Sequence, residues 1–357
     1  MIPVTKPFMP PKEEYLRYLD QVWEREYLTN NGPLVRKLEK ELRDYLKVSH
    51  ISYVSNGTIA LQIAIKTLEL KGEVITTPFS YVATTSSIVW EGCTPVFVDI
   101  DSNTLNIDPE RIEEAITEKT SGILATHVFG NPCDIAAIQR IAEKHDLKVI
   151  YDAAHCFATE YNGKSVYEYG DISTASFHAT KLFHTVEGGA VFTRQPDLNK
   201  RMRYMRNFGH AGTDDFNGVG INGKNSELHA AMGLVNLSYI EEILKNRKQQ
   251  CQLYEELLEG HPVRSISIQP GSEWNYSYYP VIFDNEETTL RVKASLEKEK
   301  IYPRRYFYPS LETLDYVKPV NMEISQSIAS RILCLPIYFG LTQTEQKQIG
   351  KILSESC

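Results

Sequence analysis

The amino-acid sequence predicts an α/β fold with a mostly parallel sheet covered by helices on both faces. From about residue 50 to residue 195, short apolar runs alternate with helical segments, and this alternation is typical of parallel sheets. In the last hundred residues the strict alternation is lost, which indicates a smaller α+β domain. Because 357 residues are many for one hydrophobic core, we expect an N-terminal segment (residues 1–34), a large domain (35–245) and a small C-terminal domain (246–357).

The strands are predicted from short apolar runs that are bounded by turn-forming residues. Val149, Ile150 and Tyr151 form one continuous run, as expected for a parallel strand that is buried on both faces. In chain order, the predicted strands are residues 51–54, 73–77, 95–98, 123–128, 149–152, 172–177 and 278–283.

The helices are predicted from apolar residues that recur every three to four positions. Leu34, Leu38, Leu42 and Leu46 share one helical face, and a turn at residues 29–33 precedes them. In chain order, the predicted helices are residues 13–27, 34–46, 59–68, 82–92, 107–116, 135–145, 194–208, 227–259, 288–299, 325–332 and 343–353. The long helix at about 227–259 is expected to bridge the two domains.

Composition excludes several classes of protein. The formal net charge is -8 and no long basic run occurs, which argues against a nucleic-acid partner. No window approaches the roughly 18 unbroken apolar residues of a membrane helix, and the start of the chain has no apolar leader, so we expect a cytoplasmic protein without a membrane partner. The six cysteines are scattered and form no CxxC pair, so neither a disulfide framework nor a metal site is predicted.

Polar side chains follow several of the predicted strands. They are Ser55 to Thr58, Ser80 with Tyr81, His127, Asp152 and Lys181. Because sites in parallel sheets lie outside the carboxyl ends of the strands, we expect these residues to meet at one edge. Each has an ordinary alternative: residues 55–58 could simply cap a helix, and Tyr81 could be a core aromatic.

Lys181 and Asp152 suggest the chemistry of that edge. Lys181 closes the segment 176–181, which is soon followed by Glu187, Gly188 and Gly189, and Asp152 directly follows an apolar run. A lysine and an acid at neighbouring strand ends suit pyridoxal phosphate (PLP): the lysine would hold the aldehyde as a Schiff base and the acid would keep the pyridine nitrogen protonated. Taken singly, an exposed lysine and a helix-capping acid explain the same residues.

The combination of four motifs resembles the DegT/DnrJ/StrS family of sugar aminotransferases over nearly the whole chain. The motifs are residues 55–58, residues 151–155, residues 176–181 with 187–189, and residues 220–224. The resemblance implies the aspartate-aminotransferase-like fold (PLP fold type I), with a mostly parallel seven-stranded sheet in the large domain. It also implies PLP as the cofactor and a homodimer with shared active sites.

The resemblance implies a role for each matching residue. Lys181 would bind the aldehyde and Asp152 the pyridinium nitrogen, so both are the predicted catalytic residues. The remaining predicted cofactor contacts are Tyr81 stacking on the ring, Gly57, Thr58 and Ser176 at the phosphate, His155 near the ring hydroxyl, and Asn222 reaching the neighbouring subunit's phosphate. Residues predicted around the nucleotide sugar are Thr29, Asn30, Asn31, His184, Arg206, Tyr306 and Tyr308, with core packing as the alternative for the last two.

Residues 177–184 and 222–227 are most similar to the family members that act on dTDP-4-keto-6-deoxy-D-glucose. The resemblance therefore implies a ping-pong transamination with L-glutamate that yields dTDP-4-amino-4,6-dideoxy-D-glucose, a precursor of surface glycans such as lipopolysaccharide O-antigen. Amination at C3 of a 3-keto isomer is an alternative. A cofactor-binding regulatory protein without turnover is another. A dehydratase of this family would carry histidine in place of Lys181.

Overall fold

The computed structural model describes all 357 residues. The strands are β1 (Ile2–Pro3), β2 (His50–Val54), β3 (Glu73–Thr76), β4 (Thr94–Phe97), β5 (Thr120–Thr126), β6 (Lys148–Asp152), β7 (Glu160–Tyr161), β8 (Lys164–Ser165), β9 (Ile172–Ser176), β10 (Gly189–Thr193), β11 (Ser272–Glu273), β12 (Tyr279–Ile282), β13 (Ile301–Tyr302) and β14 (Ile332–Leu335). The α-helices are α1 (Lys12–Arg25), α2 (Pro33–Leu46), α3 (Gly57–Thr67), α4 (Val82–Trp90), α5 (Ile135–Lys144), α6 (Pro196–Met205), α7 (Glu227–Ser238), α8 (Ile240–Leu258), α9 (Glu286–Lys298), α10 (Glu323–Ser330) and α11 (Gln343–Ser356).

A seven-stranded sheet with the order β2-β10-β9-β6-β5-β3-β4 forms the centre of the molecule. Strand β10 is antiparallel to both of its neighbours, and every other pair in the sheet is parallel. The predicted α/β class and the mostly parallel seven-stranded sheet are thus confirmed. Because six strands point the same way, their carboxyl ends share one edge.

Amphipathic helices cover this sheet and fix its strands. In α2, the four leucines at positions 34, 38, 42 and 46 are all buried, as the 3.6-residue period predicts. Helix α3 is buried on most of its surface and begins at a cap in which the Asn56 side chain accepts the Ile59 N–H. The cap places the start of α3 at the end of β2, and therefore at the carboxyl edge of the sheet.

A second hydrophobic core lies in the C-terminal part of the chain. It joins β12, β14, α9 and α11. Helix α8 belongs to both cores, since Ile240 and Ile243 pack into the first and Cys251 and Tyr254 into the second. Strand β1 pairs with β13, so the start of the chain is attached to the C-terminal part.

Two predicted helices differ from the structure. The helix predicted at about 227–259 is interrupted at Tyr239 (φ -105°, ψ 3°), which separates α7 from α8. There the Ser238 hydroxyl donates to the Val235 carbonyl and competes with the helical hydrogen bonds. The helix predicted for 107–116 forms only two 3₁₀ turns, at Pro109–Arg111 and Glu113–Ala115. Neither turn contains a buried residue, and only Ile112 between them is buried, so no continuous apolar face stabilises a longer helix.

The structure also shows the state of the cysteines and the character of the helices. All six cysteines are free thiols, and five of them are buried. None of the helices has both the length and the apolar character that crossing a bilayer requires.

Candidate active site

A cavity of about 840 Å³ lies at the carboxyl edge of the sheet, within the size range of small-molecule sites. Residues that follow β2, β3, β6 and β9 line it, as do Arg304 and Tyr306 from the C-terminal part. Of the residues predicted for the site, the cavity wall contains Gly57, Thr58, Tyr81, Asp152, His155, Ser176, Lys181 and Tyr306. The fold therefore brings together residues that are up to about 250 positions apart in the sequence.

Lys181 projects from the loop between β9 and β10 into this cavity. Its Nζ lies 6.0 Å from the centre of the Tyr278 ring. Burial lowers the pKa of the Lys181 amine from 10.5 to about 8; the Asp152 carboxylate opposes this shift, and the positive charge of Arg304 adds to it. Because only the neutral amine is nucleophilic, the lowered pKa raises the fraction of Lys181 that can attack an aldehyde near neutral pH.

Asp152 ends β6 and is 5% exposed. Its Oδ2 accepts a 2.7 Å hydrogen bond from the Thr84 hydroxyl, and its Oδ1 accepts the Ala154 N–H at 3.2 Å. Burial raises the pKa of this carboxyl group, while these two hydrogen bonds and the Lys181 charge act to lower it. The arrangement holds a carboxyl group in a fixed orientation, suited to pairing with a protonated ring nitrogen.

The start of α3 forms an anion-binding corner of the cavity. The first N–H groups of a helix have no intrahelical acceptors and lie at the positive end of the helix dipole. A Cβ atom at Gly57 would lie 2.9 Å from the Ser176 Cβ, so glycine permits the close approach of α3 to β9. The hydroxyl-bearing residues Thr58 and Ser176 also line this corner. The helix cap at Asn56 and an anion site therefore coexist.

Aromatic rings form the remaining walls. The His155 ring is buried, lies nearly parallel to the Phe307 ring at 5.8 Å, and is 4.6 Å from the Tyr278 ring. Burial, together with the charges of Lys181 and Arg304, lowers the pKa of His155 well below its ordinary value, so the imidazole is neutral. Tyr81 is 49% exposed at the start of α4, which leaves its ring open to stack on a planar ligand.

His184, which was predicted to contact the sugar, does not line the cavity of this chain. His184 is buried outside the cavity, and its Nε2 lies 2.8 Å from the Phe8 carbonyl oxygen. The Asn236 side chain donates to the His184 carbonyl at 2.9 Å. His184 thus connects the N-terminal segment to α7.

Arg206, which was also predicted to contact the sugar, does not line the cavity either. Its guanidinium is buried, forms an ion pair with Glu39 and donates to the Tyr53 carbonyl at 2.8 Å. It also donates to Asn31 Oδ1 at 3.2 Å. A buried arginine that already has these partners would leave Glu39 uncompensated if it turned toward a substrate, so Arg206 holds α2, β2 and the loop at Asn31 together.

The other predicted contacts lie on the surface, outside the cavity of this chain. Thr29, Asn30, Asn222 and Tyr308 are exposed, and Asn31 is half-buried. Asn222 accepts a hydrogen bond from Lys224 Nζ at 2.6 Å, and the Arg305 guanidinium stacks 3.6 Å from the Tyr308 ring centre. Their roles toward a substrate or a neighbouring subunit stay predictions.

Sequence reasoning placed one residue wrongly and missed another. His127 directly follows β5, but its side chain turns into the core, where its ring stacks on Tyr151 at 4.5 Å and its Nδ1 accepts the Cys133 N–H. Arg304 was missed, although it lines the cavity and lies 4.4 Å from the Tyr306 ring centre. The signal available was the arginine pair directly before the aromatic stretch at 306–308.

The residues present fit PLP. The Lys181 amine is available to an aldehyde, Asp152 offers a carboxyl group to a ring nitrogen, and the start of α3 can hold a phosphate. His155 Nδ1 is buried without a hydrogen-bond partner in the protein. Because buried polar atoms are normally satisfied, this nitrogen indicates a bound group with a polar substituent, such as the ring hydroxyl of the cofactor.

Comparison with known proteins identifies the family and its cofactor. A family model described as the DegT/DnrJ/EryC1/StrS aminotransferase family matches residues 11–354. A Shigella dysenteriae protein named dTDP-4-amino-4,6-dideoxy-D-glucose transaminase is 44% identical over 359 residues, covering 99% of this chain and 98% of that protein. An Escherichia coli protein of the same name is 42% identical, with the same coverage of both chains. A crystal structure of DesI in the presence of its TDP-sugar product has a TM-score of 0.93 at 31% identity and covers 99% of this chain and 92% of the other.

These matches extend over nearly the whole chain, so the family resemblance and the type I fold of PLP aminotransferases are confirmed. PLP is accordingly the cofactor, and the chain is a sugar transaminase. The chain belongs to the DegT/DnrJ/EryC1/StrS aminotransferase family.

Proposed function

We propose that this aminotransferase converts dTDP-4-keto-6-deoxy-D-glucose to dTDP-4-amino-4,6-dideoxy-D-glucose with L-glutamate as the amino donor. The observation that carries the chemistry is the desolvated Lys181 amine, which lies in one cavity with the buried Asp152. The 44% identity to the S. dysenteriae transaminase over 99% of this chain supports the choice of sugar.

Bound PLP supplies the electron sink that allows an amino group to be exchanged between a donor and a keto sugar. Lys181 would hold the aldehyde and, once released, move a proton to and from the reacting carbon. Asp152 would keep the ring nitrogen protonated. Gly57, Thr58 and Ser176 would bind the phosphate at the start of α3.

Two aromatic residues would complete the cofactor site. Tyr81 has an exposed ring at the start of α4 and would stack on one face of the pyridine. The neutral His155 would hydrogen-bond the ring hydroxyl through its unpartnered Nδ1. Both contacts orient the ring relative to Lys181.

Arg304 supports a dicarboxylate amino donor. Its guanidinium faces the cavity above the Tyr306 ring, whereas the adjacent Arg305 pairs with Glu286 outside it. No carboxylate of the chain forms an ion pair with Arg304. An arginine that lines a cavity without an anionic partner can bind a carboxylate of the donor in bidentate geometry.

A homodimer with shared active sites forms part of the proposal. The loop at 207–222 carries four exposed apolar side chains, those of Phe208, Phe216, Val219 and Ile221. An apolar surface of this kind is typical of a protein interface. Asn222, exposed at the end of this loop, would then reach the phosphate in the neighbouring subunit.

The visible absorption of the PLP-loaded protein tests this function. L-glutamate is expected to bleach the band of the lysine-bound cofactor, and dTDP-4-keto-6-deoxy-D-glucose is expected to restore it. dTDP-glucose, which has no keto group, serves as the control sugar and should leave the bleached spectrum unchanged. NMR of the product would then place the new nitrogen at C4.

The outcomes separate the alternatives. If a 3-keto isomer restores the band and the nitrogen appears at C3, the proposed substrate is wrong but the transaminase assignment stands. A spectrum that glutamate leaves unchanged would contradict glutamate as the donor.

A further inference from the structure

A row of three hydroxyl groups lies behind Asp152. The Thr84 hydroxyl lies 2.7 Å from Asp152 Oδ2, the Ser80 hydroxyl 2.7 Å from that of Thr84, and the Thr126 hydroxyl 2.9 Å from that of Ser80. All four side chains are at most 5% exposed. Three elements bring them together, since Thr126 ends β5, Asp152 ends β6 and Thr84 lies in α4.

The number of protons fixes the direction of this row. A hydroxyl group has one proton to donate, and an ionised carboxylate has none. Thr84 therefore uses its proton on Asp152, Ser80 must donate to Thr84, and Thr126 must donate to Ser80. Hydrogen bonds that run in one direction polarise one another, so the row acts on Asp152 as a single donor that is stronger than an isolated threonine.

Asp152 needs such a donor because it is buried. Lys181 is the charged group that faces it, and Ala154 N–H is its other hydrogen-bond donor. The titratable neighbours Cys156 and Tyr167 stay neutral, since burial raises the pKa of each well above its ordinary value. Without the Thr84 bond, desolvation would favour the protonated acid, which cannot pair with a protonated ring nitrogen.

We propose that Thr84, Ser80 and Thr126 are positioning residues that keep Asp152 ionised and fix the plane of its carboxylate toward the ring nitrogen of the cofactor. The proposal rests on the proposed role of Asp152. Thr84 acts directly on the carboxylate, and the other two act through Thr84. None of the three residues needs to touch the substrate.

Helix α4 offers a matched control. Thr85 is as fully buried as Thr84, but its hydroxyl has no hydrogen-bond partner. Thr84→Val and Thr85→Val make the same change of shape in the same helix, and only the first removes a hydrogen bond to a carboxylate. Thr84→Ser keeps the donor and removes a methyl group, so it separates loss of the hydrogen bond from loss of packing.

The measurement is the binding of PLP to each purified apoprotein, followed by absorbance between pH 5.5 and 9, with urea unfolding to verify that each variant folds. Thr84→Val is expected to raise the dissociation constant of PLP by about tenfold to hundredfold, the usual effect of losing a hydrogen bond to a charged group. As the pH is lowered, PLP binding to Thr84→Val should begin to weaken at a higher pH than PLP binding to the wild type does. Thr84→Ser and Thr85→Val are expected to bind PLP nearly as the wild type does.

Equal PLP affinity and equal pH dependence in Thr84→Val and Thr85→Val would overturn the proposal and leave the proposed function standing. Unchanged PLP binding in Asp152→Asn would overturn both, because the carboxylate itself would then be unnecessary. The two failures are thus distinguishable without measuring turnover.

Discussion

At the scale of single residues, the lysine amine, the aspartate and the cavity arginine form one electrostatic system. Desolvation lowers the pKa of Lys181 to about 8, and the charge of Arg304 acts in the same direction, while Asp152 opposes both. The same Lys181 charge opposes the effect of burial on Asp152. A change at Asp152 or Arg304 should therefore alter the titration of Lys181.

The lowered pKa of Lys181 predicts the pH dependence of cofactor capture. The rate at which the apoprotein captures PLP should rise with pH up to about 8 and level off above it, because the neutral amine is the nucleophile. Stopped-flow absorbance at a series of pH values measures this. Arg304→Met should move the midpoint to higher pH, since it removes a positive charge, and an unmoved midpoint would contradict the electrostatic coupling.

The lowered pKa of Lys181 also determines how this group makes the free energy of unfolding depend on pH. Lys181 loses its proton near pH 8 in the folded apoprotein and near 10.5 when unfolded. Between these values the unfolded chain binds more protons, so the contribution of this group to the free energy of unfolding increases with pH.

If Arg304 binds the amino donor, its substitution should affect the half-reaction with glutamate more than the half-reaction with the keto sugar. Arg304→Met should raise the KM for L-glutamate by about tenfold or more, as expected for loss of a charge-assisted hydrogen bond, and change the KM for the keto sugar much less. Arg305→Met is the matched control, because Arg305 pairs with Glu286 and the Ser330 carbonyl outside the cavity. A larger effect on the sugar than on glutamate would instead assign Arg304 to the nucleotide sugar.

At the scale of elements, α2 depends on a residue of α7. The Glu227 carboxylate is buried and accepts the N–H groups of Leu34 and Val35 at 2.7 and 2.9 Å. No side chain caps α2 from its own N-cap residue, Gly32. Glu227 therefore satisfies two of the N–H groups that every helix start leaves without partners.

This cap predicts a loss of stability. Glu227→Gln should lower the free energy of unfolding by about 1–2 kcal/mol, because an amide replaces a carboxylate that accepts two N–H groups. Urea unfolding of the apoprotein measures the difference. Glu256→Gln, a change at an exposed position of α8, is the control, and an equal effect of both changes would remove the role assigned to Glu227.

The elements also show why some sequence predictions failed. The period of four leucines predicted α2 correctly, because a buried face leaves its pattern in the sequence. The break at Tyr239 left no such pattern, since it depends on a local hydrogen bond of Ser238. His127 was correctly predicted to lie where β5 ends, and it directly follows that strand, but the face to which its side chain turns depends on the contact with Tyr151.

At the scale of the whole molecule, the homodimer with shared sites can be tested by complementation. If Asn222 serves the neighbouring subunit, a heterodimer of Lys181→Ala and Asn222→Ala contains one site with both residues intact. Refolding an equal mixture of the two variants should then restore activity that neither variant has alone. Sedimentation velocity would verify that dimers form, and no recovery in mixed dimers would place Asn222 in the site of its own chain.

The division into an N-terminal segment, a large domain and a small domain stays a prediction. Strand β1 pairs with β13, and α8 packs into both cores, so each end of the chain contributes to the second core. We propose that the boundary lies within α8, near the predicted position 246.

The sequence by itself determined the βα alternation, the buried helical faces and, through four short motifs, the family and its cofactor. Those features can be predicted from short stretches of sequence, because periodicity and motif spacing involve neighbouring residues. The tertiary structure decided where the polar side chains lie: it placed Arg304 at the cavity and Thr84 behind Asp152, and it placed His184 and Arg206 in buried contacts. These side-chain positions depend on hydrogen bonds and ion pairs between residues far apart in the chain. Such interactions form only when the fold has brought the partners together, so no local pattern in the sequence predicts them.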